Sequence, residues 1–126
     1  MVALHPVIAD RARQVIAVLS RRATVRGVYV FGSQVSGTAH EWSDIDVAAF
    51  VDGVETWTLE GRVQAIVEVQ REAGDDLDVH LFPGTFVDAA PRGSFAEFVL
   101  QEGVAVESQV TDPSANRHRL DNGGSN

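Results

Sequence analysis

The stretch "SDIDVAAF", residues 43–50, sets two aspartates at alternate positions of an otherwise apolar run. Residues two apart on an extended strand point to the same face, so Asp44 and Asp46 project together while Ile45 and Val47 turn to the core. Two carboxylates held side by side in a partly desolvated place repel each other, and a divalent cation is the usual relief. Oxygen ligands in a chain without cysteine point to magnesium or manganese rather than zinc. A third carboxylate, Asp78, sits in "LDVHLF" with apolar neighbours on both sides, placed to complete a metal-binding triad facing the same cleft. Ahead of the pair, an apolar run ends at Gly32 and Ser33. A glycine lets the backbone approach a ligand closely, and the residues after it can open a short helix whose free N–H groups receive a phosphate. Gly37 would end that helix after about one turn. A phosphate cradle and a metal pair are thus expected at neighbouring strand ends.

Each of these signals has a plainer reading. An Asp-x-Asp alone is weak, because turn and capping aspartates are common. An EF-hand fails outright, since the loop glycine and terminal glutamate do not fall at their positions after Asp44. His80 shares a face with Asp78 and reads either as a contact for substrate or partner or as a satisfied sheet histidine. Asp75 and Asp76 solvate a turn, with Asp76 a secondary candidate because it has the parity of Asp78. Trp42 reads as loop packing or as a stacking surface for a base. Ser43 is expected to hydrogen-bond local backbone and order the loop.

The elements that must position these residues follow from periodicity. Pro6 suits a first helical turn, and Ile8, Ala12, Val15, Ile16 and Leu19 recur at helical spacing, which predicts an amphipathic helix over residues 6–22. "RGVYVF" predicts a strand ending at Gly32, and "SDIDVAAFV" a second, with the short connection favouring an antiparallel pair. After a turn at Asp52–Gly53, a helix placing Leu59, Val63, Ile66, Val67 and Gln70 on one face runs to Gly74. "LDVHLF" is a third strand closed by Pro83–Gly84, with Leu77, Val79 and Leu81 opposite Asp78 and His80. Ser94 and Glu97 form a capping box before a short helix, which Gly103 stops ahead of an edge strand at Val104–Val106. Residues 1–109 are expected to form one domain, and residues 110–126, polar and rich in Asn, Gly and Ser, a disordered tail.

Composition bounds the function. The chain has 126 residues, enough for a single core. No apolar run approaches a membrane span and charged residues come too early for a secretory signal, so a cytoplasmic protein is expected. All ten basic residues are arginine, which rules out a lysine Schiff base, a Walker A lysine and a lysyl nucleophile. The net charge of -8 disfavours unaided binding to nucleic acid. Arg11, Arg13, Arg21, Arg22 and Arg26 concentrate near the N-terminus, where they serve either an anionic ligand or a solvated helix face.

"FGS" at 31–33, "SDIDV" at 43–47, "LDV" at 77–79 and "FVLQEGVAVE" at 98–107 together resemble the minimal nucleotidyltransferases, within the superfamily with a DNA polymerase beta-like palm. The resemblance implies an α+β fold, a small mixed sheet flanked by helices, and metal-dependent transfer of a nucleoside monophosphate from a nucleoside triphosphate. Gly32 and Ser33 match the triphosphate-binding positions, Asp44 and Asp46 the metal-bridging carboxylates, and Asp78 the third carboxylate. It implies Mg2+ or Mn2+ as cofactor and ATP as substrate. One ion would stabilise the leaving pyrophosphate while the other, with Asp78 added, activates the acceptor hydroxyl. Many members carry an arginine where this chain has Ser36, a loss that weakens nucleotide affinity or turnover unless Arg26 or a first-helix arginine substitutes. On this resemblance no acceptor-binding domain is expected in the 126 residues, a layout similar to the minimal nucleotidyltransferase antitoxins paired with HEPN-type ribonuclease toxins. Three uses stay open: AMP transfer to a hydroxyl of that partner, neutralisation of the partner by occlusion without catalysis, and modification of a small molecule of the aminoglycoside type.

Overall fold

The computed structural model describes residues 4–32, 35 and 44–107. The expected tail at 110–126 and the residues Ser33, Ser36, Gly37, Trp42 and Ser43 lie outside the described residues. Helix α1 spans Pro6–Leu19, with Pro6 in the first turn and the His5 side chain accepting the N–H of Val7. It stops short of the expected residue 22 because the chain closes into turns, Arg21 N–H to Val18 C=O and Arg22 N–H to Leu19 C=O. Strand β1 spans Val25–Phe31 and β2 spans Ile45–Val51, and they pair antiparallel as expected. A 3-10 turn at Val54–Thr56 leads to α2, Leu59–Ala73, capped by the Thr58 side chain accepting the N–H of Gly61. Strand β3, Leu77–Pro83, pairs parallel to β2, so β2, α2 and β3 form a crossover unit. A four-residue helix α3, Phe86–Ala89, precedes α4, Phe95–Glu102, and strand β4, Val104–Val106, which adds antiparallel to β1. The mixed sheet has the order β3-β2-β1-β4.

Alternation along the strands divides the interior in two. Val28, Val30, Ile45, Val47, Ala49, Val51, Leu77 and Val79 pack against α1 and α2 in the larger core. The opposite face carries a smaller aromatic core of Phe31, Ala48 and Phe50 under Ala96 and Val99 of α4, with Tyr29, Phe82 and Phe86 at its margin. The capping box forms: the Ser94 hydroxyl accepts the N–H of Glu97, and the Glu97 carboxylate accepts the N–H of Gly93. No helix among the described residues is long and apolar enough to cross a membrane.

The face of α2 differs in part from its periodicity: Ile66 packs on the core and the Gln70 side chain donates to the Leu77 carbonyl, but the other three predicted positions stay out. Leu59, Val63 and Val67 are 78%, 49% and 42% exposed, whereas Ala65, Val69 and Ala73 are buried. Two apolar stripes at i, i+4, i+8 compete on this helix. The stripe with two alanines wins because small side chains let the backbone seat closely on α1 and the sheet.

Candidate active site

Strand register brings the predicted acids together. Asp46 lies directly across from Asp78 in the parallel β2/β3 pair, with His80 two residues further along the same face opposite Ala48. Phe31, the last residue of β1, pairs with Asp46 on the other side, which delivers Gly32 to the carboxylates. Gly32 has φ of 77°, and a Cβ there would overlap the Asp46 carboxylate, coming within 3.2 Å of its Cγ and closer still to an oxygen. Both the left-handed backbone and the close approach therefore demand glycine.

One ligand atom each of Asp46, Asp78 and His80 lies within 4.8 Å of the other two. Burial of the Asp46 carboxyl, followed by the neighbouring charge of Asp78, raises its pKa above the ordinary carboxylate value. His80 opposes the shift and Asp44 adds to it. Asp44 itself is exposed just before β2 and stands outside the close group, near enough for its charge to be felt at Asp46. Asp78 has a side chain 56% exposed, so the site opens to solvent on the α4 face of the sheet. Two crowded carboxylates beside an imidazole, one of them pushed toward its neutral form, are the donor set that a divalent cation fits. Asp76, the secondary candidate, is occupied elsewhere: it pairs with Arg11, whose guanidinium holds the carboxyl below its ordinary pKa.

An aromatic shelf that periodicity did not single out borders the acids. Phe95 at the start of α4 lies 5.4 Å from both the Phe31 and the His80 rings, and stacks at 10° on Phe98, 6.1 Å away. Phe95 and Phe98 are about half exposed, at 47% and 49%. Their i, i+3 spacing next to the capping box was the available signal, though it reads equally as ordinary core.

The N-terminal arginines do not reach this site. Arg26 donates to Asp52 at the far ends of β1 and β2. Arg21 pairs with Glu68 and Glu72, Arg22 with Glu68, and Arg13 with Asp10. Arg11 donates to the Ala73 carbonyl as well as to Asp76. Arg11, Arg21 and Arg22 thus tie α1 and the turn after it to α2 and its end, Arg13 pairs within α1, and Arg26 ties the far end of the sheet. A surface depression lined by Arg22, Val63, Val67 and Glu68 lies on the outer side of α2, on the opposite layer from the carboxylates. Of its charged walls Arg22 and Glu68 pair with each other, Arg71 also lines it, and among the described residues it holds no close carboxylate group.

A small mixed sheet with paired aspartates on adjacent strands and a glycine turn above them defines a polymerase beta-like palm. The family model described as "Nucleotidyltransferase domain" matches residues 12–106, and the chain belongs to that family. The chain is also similar in structure to a nucleotidyltransferase candidate from Sulfolobus solfataricus solved by crystallography. That likeness has a TM-score of 0.57 and 18% identity over 81% of each chain, and it supports the fold. Among curated proteins none matches the sequence. Nucleotidyl transfer generally draws on divalent metal ions and nucleoside triphosphates, and Asp46, Asp78 and His80 supply a set able to hold such an ion.

Proposed function

We propose that the protein is a minimal nucleotidyltransferase that moves AMP from ATP to a hydroxyl of a protein partner, acting as antitoxin to a HEPN-type ribonuclease. The observation that carries this reading is the register of Asp46 against Asp78 on an open sheet face, directly beside the Gly32 turn. A bound divalent ion would neutralise the triphosphate and favour departure of pyrophosphate. The chain's own residues do the rest. Asp46 and Asp78 hold the ion, with Asp44 at the rim adding negative charge that draws it in. Asp78, more exposed, is placed to take the proton of an entering hydroxyl, and Gly32 lets the backbone come close to the phosphates. The half-exposed Phe95 and Phe98 offer a stacking surface for the base or for an apolar side chain of the acceptor. An open face suits a large acceptor such as a folded protein better than a small molecule, which needs walls.

One observation favours the second reading, neutralisation by occlusion with weak chemistry. The five N-terminal arginines are committed to ion pairs, so none compensates for Ser36. Co-expression with a HEPN-type partner separates the two. An adenylyl mass increment on the partner, lost in Asp46→Asn/Asp78→Asn while the complex persists, supports transfer. Full neutralisation by the double variant, with no mass increment on the partner, supports occlusion.

A further inference from the structure

The site holds a group whose role the three-aspartate pattern leaves unused. His80 projects from β3 on the same face as Asp78, and its Nε2 lies 3.5 Å from Asp78 Oδ2. That separation exceeds the 2.7–3.2 Å range of an N–H···O hydrogen bond, so His80 is not simply a donor orienting Asp78. Two ligands of one ion, each at about 2.1–2.2 Å, stand about 3.0 Å apart when adjacent and about 4.3 Å apart when opposed. The distance of 3.5 Å falls inside that window, and the 4.8 Å span of the whole group needs only small side-chain adjustments to close it. The imidazole is also held in place. Its ring is wedged between Phe31, at 5.5 Å, and Phe95, at 5.4 Å, and its side chain keeps 33% exposure.

Resting on the nucleotidyltransferase reading of this site, we propose that His80 is itself a metal ligand, and that the site is a two-carboxylate, one-imidazole centre selective for manganese-class ions over magnesium. The reason is chemical. Magnesium is hard, demands a near-ideal octahedron of oxygens and sheds water reluctantly, whereas an imidazole nitrogen suits first-row transition ions. Replacing one oxygen donor by nitrogen therefore lowers the affinity for magnesium relative to manganese and cobalt. Affinity should rise from magnesium to manganese to cobalt.

Titration of Mn2+ alone into the full chain, read by loss of the free-ion electron spin resonance signal, tests this without any turnover assay. Wild type is expected to bind Mn2+ about tenfold or more tightly than Mg2+ measured by competition. His80→Ala should lose about tenfold or more in Mn2+ affinity while Mg2+ affinity changes less than about twofold, the scale on which altered metal surroundings act. Pulsed resonance of the bound Mn2+ should show nitrogen modulation in wild type that disappears in His80→Ala and in His80→Gln. Unchanged Mn2+ affinity in a folded His80→Ala, or no nitrogen modulation in wild type, overturns the assignment of His80 while leaving the aspartate site standing. Mn2+ binding unaffected by Asp46→Asn would instead overturn the site reading from which the proposal starts.

Discussion

Removing a charge from the site should stabilise the metal-free protein. Asp46 is partly buried beside Asp78, and its carboxyl pKa is raised first by that burial and then by the Asp78 charge. A carboxyl whose folded pKa lies above its unfolded value contributes stability below the ordinary carboxylate range. That contribution is lost as pH rises through the raised folded value. At neutral pH the charged pair is therefore a cost. Like charges within 4.8 Å of each other repel by at least about 0.9 kcal/mol at a water-like dielectric and at least about 3.5 kcal/mol at an effective value near 20. With Asp78 more than half exposed, the lower figure applies, about 1 kcal/mol. Asp46→Asn keeps the shape and can donate to Asp78, so it should raise the melting temperature by about 4 °C at pH 7 in chelator. The gain should shrink toward zero as pH falls below the ordinary carboxylate range, where wild type is already neutral at this position. Saturating manganese should invert the order, since an ion at a hundredfold its Kd stabilises only wild type, by about 2.7 kcal/mol. Differential scanning calorimetry over a pH series, with and without the ion, reads all three effects. A variant less stable than wild type in chelator at pH 7, or a difference independent of pH, would refute the reasoning.

Gly32→Ala should lower stability by about 1–2 kcal/mol from the left-handed backbone alone. It should also abolish metal-dependent nucleotide binding by pushing on the Asp46 carboxylate, which calorimetry of folding and of binding would measure separately. Arg11→Met should cost about 1 kcal/mol, by removing the Asp76 pair and leaving the Ala73 carbonyl at the end of α2 without its partner. Because Asp76 has a lowered pKa, that loss should be full above the ordinary carboxylate range and fade as pH falls through the lowered value, as chemical denaturation at several pH values would reveal. Phe50→Ala, in the aromatic core that supports the carboxylate face, should cost about 3–5 kcal/mol in the same measurement.

Much of this arrangement was legible because it depends on alternation. The parity of Asp46 with Ala48 and Phe50, and of Asp78 with His80, set which side chains share a face before any contact was known. What parity could not supply was the register between β2 and β3, fixed by how the α2 crossover packs. That register put Asp78 opposite Asp46 and left Asp44 at the exposed strand entrance. The face of α2 was misleading for a related reason: Leu59, Val63 and Val67 are the more apolar stripe, yet close approach favours Ala65 and Ala73. The arginine cluster looked suited to a polyanion, but its partners Glu68, Glu72 and Asp76 lie far along the chain. Charge pairing across helices carries no periodic signature. Phe95 and Phe98 carry no distinguishing signal, because aromatics in a short helix look the same whether they face a core or a site.

The central claim is that Asp46 and Asp78 form a metal-dependent nucleotide site. It is tested most directly by calorimetric titration of ATP into the protein and into Asp46→Asn/Asp78→Asn, with manganese, with magnesium and with chelator. The account predicts binding that requires the ion and vanishes in the double variant, while the variant stays folded. ATP binding that persists in chelator, or that the double substitution leaves unchanged, would contradict it.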